Sequence, residues 1–118
     1  MKNLDNLNNL KVRKVLKEVD DRMANIFKSK LKKVIVYGSY ARNENTSESD
    51  IDIMVLVNED EQKIKEYEDS ITDIMVDLSL KYNIVVSIYT QSVQEYEMQI
   101  NVLPFLMNVE REGINIHG

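Results

Sequence analysis

Apolar residues fall along this chain in two rhythms. From about Leu7 to Ser29 they recur at three- and four-residue steps, with Leu10, Val12 or Val15, Val19, Met23, Ile26 and Phe27 forming the stripe of an amphipathic helix. The rhythm then shortens. Val34 to Tyr37 and Ile51 to Val57 are short, β-branched runs on either side of one polar loop, which predicts two buried strands. Helical spacing returns between Glu59 and Tyr82 through Ile64, Tyr67, Ile71, Met75 and Leu78, and Asp60-Glu61 suits the positive end of a helix. Ile84 to Thr90 predicts a third strand. Ser92 then caps a short helix through Gln99, Pro104 interrupts or opens a further helical turn ending near Gly113, and Ile114 to Ile116 reads as an edge strand. No repeat, low-complexity tract or linker divides these elements. They predict one α/β (α+β) domain over residues 1–118, a small mixed sheet with helices packed mainly on one face.

Composition narrows the function classes. At 118 residues and 43% hydrophobic content the chain buries one core and leaves no room for a separate acceptor-binding domain, so any acceptor site is expected on another molecule. There is no cysteine, hence no disulfide frame and no thiolate metal site. No signal-like start and no 18-residue apolar run occur, so secretion and membrane spanning are not expected and the cytoplasm is the default location. Charge is uneven: residues 1–33 carry ten Lys or Arg against four Asp or Glu, whereas the remainder carries five against sixteen. Lys11, Lys14 and Lys17 read first as a solvated helix face. With no aromatic residues among these lysines and an acidic remainder, nucleic acid is disfavoured as a partner. Homo-oligomerisation is left open.

The loop between the first two strands concentrates the chemistry. It opens with Gly38-Ser39 and closes on Asp50-Ile51-Asp52. Side chains alternate along a strand, so Asp50, Asp52, Met54 and Leu56 share one face while Ile51, Ile53, Val55 and Val57 share the other. Two carboxylates side by side at the mouth of an apolar strand repel each other unless a cation or solvent separates them, and a hard divalent ion with oxygen ligands is the natural occupant. Gly38 permits a turn that a side chain would block. The residues after it expose amide groups at the start of a short helix, where phosphate oxygens bind, and Ser39 adds a hydroxyl donor. Arg42, just beyond, has the bidentate geometry to grip a triphosphate. Tyr37 and Tyr40 flank the turn within reach of a base or ribose. Asp-x-Asp or Gly-Ser taken singly is an ordinary structural feature; the combination is what carries specificity.

Gly38, Ser39, Asp50 and Asp52, together with Tyr40-Ala41-Arg42 and Ser49, resemble the signature of the minimal nucleotidyltransferase family of the DNA polymerase beta superfamily. The resemblance extends more weakly along the chain, including Leu103-Pro104-Phe105 and Glu110 to Gly113. It implies the polymerase-beta-like nucleotidyltransferase fold and a two-Mg²⁺ reaction. A nucleoside monophosphate, often AMP from ATP or else another NTP as donor, would pass to an acceptor. In that reading Asp50 and Asp52 hold the metals, and Gly38, Ser39, Tyr40, Arg42 and Ser49 hold the nucleotide. Many small members are antitoxins that modify a HEPN-type toxin, so the resemblance also implies a protein partner and a toxin-antitoxin role. Two departures stand out. Asn43 replaces the glycine that usually follows the arginine, and Asn tolerates the same left-handed turn. On the third strand, Ser87 occupies the place of a third carboxylate, which removes the visible general base.

Two other classes compete with the transferase reading. Ser87 supports a degenerate, non-catalytic binding module, while intact Asp50 and Asp52 oppose it; transfer to a small molecule such as an antibiotic is weakened by the absent second domain. Asp77 and Glu95 are alternative acids, each read first as a solvated helix residue. Glu44 and Glu48 read as loop charges, Met23, Met75 and Met98 as core filler, and His117 as a tail residue without a catalytic role.

Overall fold

The computed structural model describes residues 2–3 and 7–117. Strand β1 (Lys2–Asn3) is followed by α1 (Leu10–Phe27), whose first turn is capped by Asn9, its side-chain oxygen accepting from the Val12 amide at 3.1 Å. The buried stripe runs Val12, Val15, Leu16, Val19, Met23 and Phe27. Leu10, expected on it, is 71% exposed. At about 100° per residue it lies on the opposite side of the helix from Val12, while Leu7, ahead of the helix, is buried in the same core as the stripe.

Strands β2 (Leu31–Tyr37) and β3 (Ile51–Val57) pair antiparallel, with Ile35 opposite Met54 and Tyr37 opposite Asp52. The single helix expected from Glu59 to Tyr82 is two: α2 (Glu61–Lys65), capped by the Asp60 carboxylate at 2.8 Å from the Lys63 amide, and α3 (Glu68–Tyr82). The break is local. The Glu66 and Tyr67 amides donate to Lys63 and Ile64, three residues back, which tightens the turn and sets the Tyr67 ring edge-on to Phe27 of α1 at 4.9 Å. Strand β4 (Val86–Ser92) runs parallel to β3, after which come α4 (Val93–Gln99), capped by Ser92, and α5 (Pro104–Glu112) with proline in its first turn.

The last strand, β5 (Ile114–Asn115), is not at the edge as expected. It lies between β1 and β2, parallel to the first and antiparallel to the second, in the order β1-β5-β2-β3-β4. Gly113 delivers the chain there: a Cβ at this position would stand 2.4 Å from the Val109 carbonyl oxygen and 2.6 Å from Ile35, so only glycine lets α5 end against β2.

Alternation along β3 divides the interior. Ile51, Ile53, Val55 and Val57 join the larger cluster beneath the two long helices α1 and α3, whereas Met54 and Leu56 join Ile35, Tyr96, Leu106 and Val109 beneath the shorter α4 and α5. The sheet is thus mixed, with most of its helical cover on one face. On the smaller side a buried Tyr96 hydroxyl donates to Glu110 at 2.7 Å and ties α4 to α5. At the outer edge of β4, the Val86 amide donates to the Ser79 hydroxyl and the Ser92 amide to the Glu61 carboxylate, both at 2.9 Å. No helix among the described residues is long and apolar enough to cross a membrane.

Candidate active site

Tyr37 ends β2 and Asp52 sits opposite it near the start of β3, so the intervening loop must reverse direction at once. Gly38 does this with φ +76°, and a Cβ there would stand 2.8 Å from Asp52 Oδ2. The backbone of the turn therefore lies directly against the carboxylate, closer than any side chain permits. One helical turn follows rather than the short helix expected. The Arg42 amide donates to the Gly38 carbonyl at 3.2 Å, and Asn43, at φ 56°, closes the turn: its amide reaches Tyr40 at 3.2 Å while that of Glu44 reaches Ser39 at 2.9 Å. These are the paired bonds of a Schellman ending. Asn43 thus adopts the left-handed conformation that a glycine would supply. The amides at the start of such a turn have no acceptor within it and are free for an anion.

Buried Tyr40 and Ala41 anchor the turn in the larger core. Tyr40 is 5% exposed, so its ring belongs to the scaffold and not, as expected from its position, to the open face where a base or ribose would lie. Burial first, and the Asp50 charge second, raise its hydroxyl above the usual tyrosine value. Ser49 also holds structure: its hydroxyl accepts from the Thr46 amide at 2.9 Å, a local bond that fixes the loop just ahead of Asp50. Arg42 donates from Nε to Glu44 at 3.0 Å and from Nη1 to Glu112 at 3.4 Å, which parks the guanidinium beside the turn.

Asp52 is half-buried and Asp50 exposed. Desolvation, then the nearby charge of Asp50, holds the Asp52 carboxyl above its ordinary value. Tyr37 is raised by burial, then by Asp52 and Tyr89, which places these groups within electrostatic reach of one another. Across the parallel pair, Asp52 registers with Ser87, so the serine stands beside the carboxylate on the same face. No cluster of three His, Cys, Asp or Glu residues suited to a metal occurs among the described residues. The donors that do meet here are hard oxygens: the Asp50 and Asp52 carboxylates and, beside them in register, the Ser87 hydroxyl. They fit a divalent cation that draws its remaining ligands from phosphate and water. The other candidate acids lie elsewhere. Asp77 is exposed on α3 and paired with Arg22 at 3.2 Å. Glu95 is in the first turn of α4 beside Asn58 and Glu61, at the end of β3 that lies five residues, about 17 Å, from Asp52. His117 is not a free tail: its Nδ1 lies 2.6 Å from Asp20 on α1.

Sequence reasoning missed one part of the neighbourhood. Between the turn and α5 is a cavity of about 230 Å³ lined by Tyr37, Gly38, Arg42, Phe105, Asn108 and Glu112. The signal was present as spacing, since residues 105, 108 and 112 share one face of a helix.

Residues 11–100 match the nucleotidyltransferase domain family. The chain is a nucleotidyltransferase. Two curated relatives of this nucleotidyltransferase come from Methanocaldococcus jannaschii, each named "Putative protein adenylyltransferase". One is 34% identical over 100 residues, covering 85% of this chain and 92% of the relative. The other is 33% identical over 109 residues, covering 91% and 100%. Among solved structures, a toxin-antitoxin crystallised with AMP-PNP superposes with a TM-score of 0.53 at 21% identity, covering 95% of this nucleotidyltransferase and 74% of the matched chain. The complex of a tri-AMPylated Shewanella oneidensis HEPN toxin with its MNT antitoxin gives a TM-score of 0.51 at 17% identity, covering 90% and 71%. At these identities the structural likeness establishes the nucleotidyltransferase fold.

Proposed function

We propose that this nucleotidyltransferase, acting as a single domain over residues 1–118, transfers AMP from ATP to a protein acceptor in the cytoplasm, the acceptor being a HEPN-type toxin that it restrains. The observation that carries this reading is the seating of the Gly38 turn against Asp52, because it brings a phosphate-binding backbone and a metal-binding carboxylate to one point. Ser39 and the first amides of the turn hold the phosphates, and Arg42 leaves its glutamate partners to grip them. Asp50 and Asp52 would hold Mg²⁺, which would supply neutralisation of charge on the phosphates. A two-ion arrangement would need ligands from the nucleotide for its second ion, since among the described residues β3 and β4 bring only Asp50 and Asp52 as acids to this face. Attack of the acceptor at the α-phosphorus then expels pyrophosphate.

The test is transfer of label from α-³²P-ATP and Mg²⁺ into the macromolecules of a source lysate. A labelled band is expected with the wild type and none with the Asp50→Asn, Asp52→Asn double variant; label that persists in the double variant removes the mechanism.

Ser87 favours a second reading, a binding module without chemistry. Its register with Asp52 puts a hydroxyl where a proton acceptor is wanted, and serine does not take a proton at neutral pH unaided. Ser87→Asp separates the two: increased labelling indicates machinery complete but for a base, and unchanged silence at both residues indicates binding alone.

A further inference from the structure

The cavity between the turn and α5 has walls of a different chemistry from the phosphate cradle. Phe105 is 50% exposed and meets Tyr37 edge-on, with ring centroids 5.5 Å apart, so an aromatic face is open to the cavity from α5. Its one cation, Arg42, is paired with Glu44 and Glu112 and, once drawn to phosphates at the turn, leaves the Glu112 carboxylate as negative charge in the lining. Phosphate is poorly served there. A flat, uncharged heterocycle is well served, because stacking on an aromatic ring stabilises any base. The cavity also shares Gly38 and Arg42 with the turn, so it is close enough for one molecule to reach from phosphates at the turn into the cavity.

Two polar groups specify which heterocycle. The Asn108 carbonyl oxygen accepts from Arg111 at 2.7 Å, which orients the amide and leaves its NH₂ as the free end. Glu112 contributes a carboxylate, an acceptor. An edge that meets both must offer an exocyclic amine beside a ring nitrogen acceptor. On their Watson–Crick edges adenine and cytosine have that pairing, and guanine and uracil do not. The larger ring system of adenine gains more from Phe105.

We propose that this cavity is the nucleobase pocket of the donor nucleotide, with Phe105 as the stacking surface and Asn108 and Glu112 as the groups that select adenine. The inference rests on the nucleotidyltransferase reading above and adds to it the residues that choose the donor.

The experiment is calorimetric titration of the purified protein with α,β-methylene analogues of ATP, GTP, CTP and UTP in Mg²⁺, and with inorganic tripolyphosphate as a probe of the cradle alone. The wild type is expected to bind the ATP analogue tightest. Phe105→Ala is expected to weaken all four analogues by about fivefold or more, the lower end of a base-stacking contribution. Asn108→Leu is expected to compress the preference for ATP over GTP by about tenfold. Tripolyphosphate binding is expected to survive in both, which reports an intact fold. Wild-type affinity and preference in both variants overturns the pocket while leaving nucleotide transfer standing. If the wild type binds tripolyphosphate but shows no preference among the four bases, the selecting role is overturned; if it binds no nucleotide at all, the transferase reading falls with it.

Discussion

Gly38 is the residue on which the site turns, in both senses. An alanine there must keep φ near +76° and push a methyl group to within 2.8 Å of Asp52 Oδ2, so both the strand end and the carboxylate have to move. Gly38→Ala is expected to destabilise the protein by about 1–3 kcal/mol in urea denaturation and to abolish transfer. Asp52 makes a second expectation, with a definite sign. Its carboxyl is held above the ordinary value by burial and by Asp50, so the folded protein binds that proton more tightly than the unfolded chain does. The contribution to stability is therefore complete below the unfolded carboxylate value, near pH 4, and is lost as pH rises through the folded one. In chelator-treated protein, Asp52→Asn is expected to lose less stability than wild type between about pH 4 and pH 7; a steeper loss in the variant contradicts the assignment. At this scale the sequence was legible where chemistry is carried by residue type and spacing: the shared face of Asp50 and Asp52, the left-handed Asn43 and the position of Ser87 beside Asp52. It was illegible where tertiary packing decides what a side chain is for. Tyr40 and Ser49 belong to the same motif as Gly38, yet one ring is drawn into the core and one hydroxyl is consumed by a loop.

Among the elements, α5 does the most for its length. It covers the smaller core with Leu106 and Val109, offers Phe105, Asn108 and Glu112 to the site, and is tied to α4 by the Tyr96–Glu110 bond. Desolvation first, and the Glu110 bond second, push the Tyr96 hydroxyl far above its usual value, so it stays protonated and donating throughout the working pH range. Tyr96→Phe removes that donor and leaves a partly buried carboxylate short of a partner; an expected loss of about 1–2 kcal/mol should appear as a shifted urea midpoint with an unchanged slope. The strands and α1 followed from periodicity because each buries a regular face. Local geometry overrode it elsewhere: the tight turn at Glu66 and Tyr67 divides one long helical pattern into two helices without any proline or glycine to announce it. The placement of β5 inside the sheet depends on the fit of Gly113 against Ile35, a contact no window of neighbouring residues contains.

For the whole molecule, the charge division in the sequence has a direct consequence. Lysines on and just after α1 attract polyanions, but the acidic remainder repels them, and neutralising only a few phosphates gives an affinity that salt erodes. At about 0.15 M salt, no retention of single- or double-stranded nucleic acid is expected in a filter-binding assay. Binding that persists there would return nucleic acid to the list of partners. The outer margin of β4 bears on a different property. A sheet margin with unsatisfied amides is a template for another strand, and concentrated protein then associates through it. Here Ser79 and Glu61 supply side-chain acceptors to the Val86 and Ser92 amides, and the Met75 sulfur to that of Ile88, so much of the donor row a neighbouring molecule would use is already engaged. Shelf life is thus written into two helix residues remote from the phosphate turn: a Ser79→Ala, Glu61→Ala protein should fold and still bind nucleotide, yet turn cloudy at concentrations where the parent remains clear.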